Sequence, residues 1–200
     1  ERNAANIVMW ELTNSDDAHL GYTHARPTIA LLNNGRWAVL TGNGPTDTAS
    51  DETGGQSQLF ILYLDGGIDG TWTYGTDYLR IPTGSGSSDT RNALMTPAVI
   101  DIDGNGTADR VYAGDLNSNL WGFDLSSSDV GDWEIAHGSS PLFTGESTQP
   151  ITAKPTVIKH PTQNNESAPN LMILFGTGRF LSDNDKTRTD PQSFYGVWDT

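Results

Sequence analysis

The chain has 200 residues, 35% hydrophobic and 9% aromatic, which is enough apolar material for a core and too much for a disordered tail. Its 25 acidic against 11 basic residues give a formal charge of −14, which repels phosphate backbones and anionic lipid and argues against a nucleic-acid partner. Cysteine is absent, excluding disulfides and thiolate metal sites without fixing a compartment, and no run of about eighteen apolar residues offers membrane insertion.

With 22 Gly and 10 Pro amid many Asn, Asp, Ser and Thr, the composition reads as short strands joined by turns, an all-β chain. The opening "ERNAANIVMW" has no basic segment followed by an apolar one, so no secretory leader is read there. Next, "IVMWEL" (7–12) looks like the third strand of a unit whose beginning is missing. The first full unit starts at Pro27: "RPTIALL" gives strand A, "RWAVLTGNG" (36–44) strand B, and "LFILYLD" (59–65) an aromatic-rich strand C closing on an acid. A second unit opens at Pro97 with "TPAVIDI" and continues through "RVYAGD" (110–115) and "LWGFD" (120–124). The third opens at Pro155 with "KPTVIKH" and continues through "LMILFGTG" (171–178) and "FYGVWD" (194–199). A strand D follows from a further recurrence, Leu64 standing eight residues before Trp72 and Leu125 eight before Trp133.

Four short antiparallel strands per unit, with glycine-rich turns, predict a β-propeller of four-stranded antiparallel blades. The B–C loops differ in length, so the spacing between Pro27, Pro97 and Pro155 drifts. A β-sandwich shares the regular strand spacing, but the proline-opened triplet would then be coincidence. Residues 1–200 form on this reading one propeller segment of about three and a half blades. Closure takes about four or more blades, so the expectation is a partial set from a longer polypeptide.

Between strands A and B of the second unit lies "DIDGNGTAD" (101–109). Alternate side chains of a tight loop converge on one point, a hard cation takes about six to eight oxygens there, and Gly106 permits the sharp turn. The expected ion is Ca2+, held by the side chains of Asp101, Asp103, Asn105 and Asp109 and the backbone carbonyl of Thr107. Magnesium fits less well, because it keeps several waters and demands a rigid octahedron. Tyr112 stands where an EF-hand carries its bidentate Glu, and strands rather than helices flank the loop, so it is not an EF-hand. The alternative is an Asx-rich turn that is merely solvated. No base or nucleophile is identifiable beside the loop, so no catalytic residue is assigned. The acids of "LDGGIDG" (64–70) and "SDNDKTRTD" (182–190) lack the spacing and read as solvated turns.

The loop resembles the D-x-D-x-N-G-x-x-D calcium loop of propeller-blade hairpins. Together with "YAGDLNSNLWGFDL" (112–125) it resembles the C-terminal propeller domain of the PilY family, large tip-associated proteins of type IV pili. The likeness runs in order through "LGY" (20–22), "RP" (26–27), "NNGRW" (33–37), "GNG" (42–44), "TPAV" (96–99), "ITAKP" (151–155), "FGTGRF" (175–180) and "QSFYGVWD" (192–199). Two departures, "NAL" (92–94) in place of a glycine and "LNSN" (116–119) in place of a Gln-Gly pair before the Asn, fall in turns rather than on the ligands. The resemblance implies a protein exported through the periplasm to the bacterial cell surface, at the pilus tip or outer membrane. It implies roles in pilus assembly, in antagonising retraction, in twitching motility and in surface adhesion. Pilin or minor-pilin subunits, other pilus assembly proteins and a host or abiotic surface are the implied partners. Calcium occupancy of the loop is implied to bear on extension against retraction.

A quinoprotein dehydrogenase is the main rival, because Ala113, Asp115 and Trp121 resemble part of its tryptophan-docking motif, although Ser118 and Asn119 occupy the region where glycine belongs. A quinone site also needs basic groups and calcium ligands facing a central channel, whereas this loop joins two strands of one blade. Hydrolase chemistry is poorly supported, since His19, His24, His137 and His160 are scattered without a nucleophile elbow. A carbohydrate-binding propeller requires exposed aromatics, and the sequence does not say which of its six tryptophans are exposed. The expectation is a non-enzymatic, calcium-binding propeller segment.

Overall fold

A computed structural model describes residues 7–45, 55–163 and 169–200; the chain start, the middle of the first unit's B–C loop and the middle of the third unit's A–B loop lie outside the described residues. Among the described residues, twelve β-strands and two short 3-10 turns, Val130–Asp132 and Asp183–Thr187, make up the regular structure. The first sheet is β1 (Thr28–Leu31), β2 (Trp37–Gly42), β3 (Gln58–Tyr63) and β4 (Tyr78–Pro82), antiparallel and in chain order. The second is β5 (Ala98–Ile100), β6 (Arg110–Gly114), β7 (Asn119–Asp124) and β8 (Glu134–Ile135), with β9 (Phe143–Thr144) also on β7. The third is β10 (Thr156–Lys159), β11 (Leu171–Gly176) and β12 (Phe194–Asp199).

Strand alternation explains why these sheets stack, since successive side chains point to opposite faces. On β3, Leu59, Ile61 and Tyr63 join Val111 and Ala113 of β6 and Trp121 and Phe123 of β7 in one buried core between the first two sheets. The opposite face of β6 and β7 sends Tyr112 and Leu120 into a second core with Leu171, Ile173 and Phe175 of β11. Phe60 and Leu62, on the other face of β3, pack with Leu20, Trp72 and Tyr78. The sheets are therefore blades, each using its neighbour to bury a face that it cannot bury alone.

Two glycines show how closely successive blades approach. The chain entering the second blade crosses the end of β2, where a Cβ on Gly42 would sit 2.1 Å from the Leu94 carbonyl oxygen. The chain entering the third crosses the end of β6, where a Cβ on Gly114 would sit 2.2 Å from Ile151 Cγ2. Only glycine admits those crossings.

The proline-opened strands A, B and C lie where the sequence places them in all three units. The expected strand at 7–12 is absent: Trp10 instead packs edge-on against Trp72, ring centroids 5.2 Å apart, and its indole N–H reaches the Leu64 carbonyl. Side-chain packing onto the free face of the first blade replaces backbone pairing there. The recurring Trp72 and Trp133 lead into the fourth strands rather than lying in them. In the second blade that fourth position is divided, β8 pairing with the end of β7 and β9 with its start.

Candidate metal centre

The loop 101–109 joins β5 to β6, whose antiparallel pairing of Ile100 with Arg110 closes its base. Carboxylate oxygens of Asp101, Asp103 and Asp109 lie within 4.8 Å of one another, the one such acidic group among the described residues. Backbone N–H donors shape this arrangement. Gly104 and Gly106 donate to the two oxygens of Asp101 at 2.7 and 2.8 Å, and the amide of Asn105 donates to Asp103 Oδ1 at 3.0 Å. Thr107 N–H donates to Asn105 Oδ1 at 2.7 Å, and Ile102 N–H to Asp109 Oδ2 at 2.8 Å. The Gly106 and Gly104 amides hold the Asp101 carboxyl below the usual carboxylate range.

Of the five expected ligands, Asp101 and Asp103 are exposed and Asp109 is buried. The Asn105 side chain bonds Asp103 Oδ2 at 3.0 Å, which keeps it within the same loop cluster. The three carboxylates form an all-oxygen cluster, the chemistry of a hard cation, and the chain has no softer thiolate to offer.

One residue of this site is not foreseen from the sequence. Asn33, in the β1–β2 hairpin of the preceding blade, donates from Nδ2 to Asp109 Oδ1 at 3.1 Å and accepts from Thr107 Oγ1 at 2.8 Å. It stands in the "NNGRW" stretch, but no short-range pattern signals a contact spanning 76 residues.

The other candidates have structural explanations. Asp115, fully buried, accepts from Trp121 Nε1, Asn92 Nδ2 and Asn119 Nδ2 at 2.7–2.9 Å and from the amides of Asn117 and Asn119, so the Asp–Trp pair braces the blade. Asp65 pairs with Arg36 at 2.6 Å. Asp185, expected in a solvated turn, is instead buried and accepts from Arg179 Nε and the amides of Leu181 and Ser182. The Leu181 amide, with Arg179 and Ser182, holds its carboxyl down to about 2. His19 bonds buried Asp17, His137 lies 3.1 Å from buried Asp199, and His160 packs on Trp198. Trp37 and Trp198 are the exposed tryptophans and lie on different blades.

Face-to-face antiparallel blades with an oxygen-donor loop in one hairpin define a β-propeller segment with a candidate cation site. A family model described as the PilY1 beta-propeller domain matches residues 9–200. The chain belongs to that family. The "Type IV pilus biogenesis factor PilY1 homolog" of Xylella fastidiosa is 35% identical over 210 residues, covering 96% of this chain and 13% of that protein. The "Type IV pilus biogenesis factor PilY1" of Pseudomonas aeruginosa is 32% identical over 219 residues, covering 98% of this chain and 17% of that protein. The chain thus spans less than a fifth of the length of these curated relatives. The crystal structure of the Pseudomonas aeruginosa PilY1 C-terminal domain superposes with a TM-score of 0.75 at 31% identity, covering 96% of this chain and 40% of that one. The propeller expected from the sequence and the PilY resemblance both hold.

Proposed function

We propose that this chain is a calcium-binding, non-enzymatic propeller segment that acts in type IV pilus biogenesis. The relatives' naming as pilus biogenesis factors supports the pilus role. The calcium reading is carried by the convergence of Asp101, Asp103 and Asp109 within 4.8 Å, which sets three mutually repelling charges around a point that a divalent ion would neutralise. Asn105 and the Thr107 carbonyl complete the ligand set. The ion clamps the β5–β6 hairpin and biases a surface that meets pilin or minor-pilin subunits or other assembly proteins. Through that surface it shifts pilus extension against retraction, and with it twitching motility and surface adhesion. The site of action is the bacterial cell surface, at the pilus tip or outer membrane.

Calorimetric titration of the chelator-stripped protein, with magnesium as control, tests the calcium step. One calcium site of roughly micromolar to millimolar affinity, lost in Asp101→Ala, supports it. Absence of binding overturns it. The pilus step is tested in a full-length homologue carrying the substitution at the position of Asp101: unchanged surface motility would separate the loop from pilus function.

A further inference from the structure

The loop 101–109 is fastened to two blades, and only one of them supplies its ligands. Its last three residues all bond the preceding blade. Thr107 Oγ1 donates to Asn33 Oδ1 at 2.8 Å, Ala108 N–H donates to the Leu31 carbonyl at 2.9 Å, and Asp109 Oδ1 accepts from Asn33 Nδ2 at 3.1 Å. Asn33 Nδ2 also faces the carbonyls of Ala108 and Leu125, each at 3.0 Å. Those carbonyls only accept, so the amide orientation is fixed by its surroundings.

We propose that Asn33 is a positioning residue that couples ion binding at this loop to the first blade, so that the bound ion acts as a staple between two blades. The proposal rests on the calcium reading above. Asp101 and Asp103 are oriented by donors inside the loop. Asp109 is different, because among the described residues Asn33 is the donor that reaches these carboxylates from outside it. A neutral amide suits this position, because a lysine there would compete with the ion and an aspartate would add a fourth repelling charge. Linkage is reciprocal, so an ion that fixes Asp109 favours the Asn33 contact by the same factor by which that contact favours the ion.

The test measures calcium affinity by calorimetry and amide hydrogen exchange with and without calcium, in the wild type, Asn33→Ala, Thr107→Val and Asn34→Ala. Asn34 sits in the same hairpin but donates to Tyr63 of its own blade, and serves as the control. Outer partners of metal ligands are worth about 10- to 100-fold in affinity, and Asn33→Ala is expected to lose that much, with Asn34→Ala unchanged. In the wild type calcium is expected to slow exchange at Leu32 and Gly35, whose N–H groups close the β1–β2 hairpin, as well as at Gly104 and Gly106. In Asn33→Ala only the loop amides are expected to respond. Thr107→Val, which keeps the backbone carbonyl and removes the hydroxyl contacts to Asn33 and Asn105, carries the exchange readout at Leu32 and Gly35 if Asn33→Ala does not fold. A wild type that binds calcium with no change at Leu32 and Gly35, and variants that bind within about twofold of it, would overturn the coupling and leave the calcium site standing. A wild type that binds no calcium overturns both.

Discussion

Removing the Asp109 side chain should destabilise the chain even with no metal in solution, whereas removing that of Asp101 should not. Asp109 is only 7% exposed and accepts from Ile102 N–H and Asn33 Nδ2. Asn33 keeps two carbonyl acceptors after truncation, so Asp109→Ala orphans one donor, the Ile102 amide. An orphaned buried donor costs about 1–3 kcal/mol. Relief of repulsion among the three carboxylates returns up to about 1 kcal/mol in a wet setting, so a mid-range cost of about 2 kcal/mol leaves a net loss of about 1–2 kcal/mol. For a chain of this size that is a melting shift of about 2–8 °C. Asp101 is exposed, and the Gly104 and Gly106 amides can turn to water when it is removed. Thermal melts in chelator should therefore separate the two variants. At calcium near 100 times its dissociation constant, the wild type should gain about 2.7 kcal/mol that neither variant gains. Equal melting of Asp101→Ala and Asp109→Ala in chelator would refute the double role given to Asp109.

Three further outcomes follow from the packing. Gly114→Ala should cost about 1–3 kcal/mol in urea unfolding by driving its new methyl into Ile151, while Gly176→Ala, at the matching place in the third blade with Phe194 3.7 Å away, should cost little; equal effects would contradict the close crossing. Asp115→Asn should cost about 2–5 kcal/mol, because an amide nitrogen would face donors that now converge on a buried carboxylate, and Trp121 fluorescence should report the change; an unshifted spectrum with unchanged stability would refute it. Folding lowers the Asp185 carboxyl to about 2, so its contribution is complete above about pH 4 and lost as pH falls towards 2. The difference in urea midpoint between wild type and Asp185→Asn should accordingly shrink across that window, and a constant difference would refute the assignment.

The blade strands are legible in the sequence because each unit repeats the same punctuation: a proline, an apolar run, a run ending in glycine, and an aromatic run. Local pattern serves less well where tertiary packing decides. The run "IVMWEL" has strand composition, yet Trp10 finds Trp72 and Phe60 packs nearby, so side-chain burial on a blade face takes the place of pairing. Likewise the eight-residue spacing to Trp72 and Trp133 is a real repeat, but it marks ring packing ahead of the fourth strand. The burial of Asp185 escapes a reading by composition because its partners Arg179 and Leu181 close around it only once the turn forms. The convergence of the loop acids can be picked out because their alternating spacing lies within nine residues. Asn33 cannot, because its contacts are set by the stacking of two blades.

That stacking also decides what an ion at this loop can do. A propeller's stability is approximately a sum of blade and nearest-neighbour terms, so a ligand held within one hairpin would act on that blade alone. The loop 101–109 instead meets the first blade through Asn33 and through the Leu32–Ala108 bridge, directly beside the core shared by the first two blades. The seam between the second and third blades is built from different parts, with Tyr112 donating to buried Asp199 and Ile151 packed over Gly114. From the loop, Ile102 rests against the apolar core of that second seam, but among the described residues none of the five expected ligands enters those contacts. Polar bonds to Asp109 and Thr107 thus tie the loop to the first seam, while the second meets it only through non-directional packing. On the proposed calcium reading, an ion there would act mainly on one seam, which would give it the means to change the relation of two blades without remaking the fold.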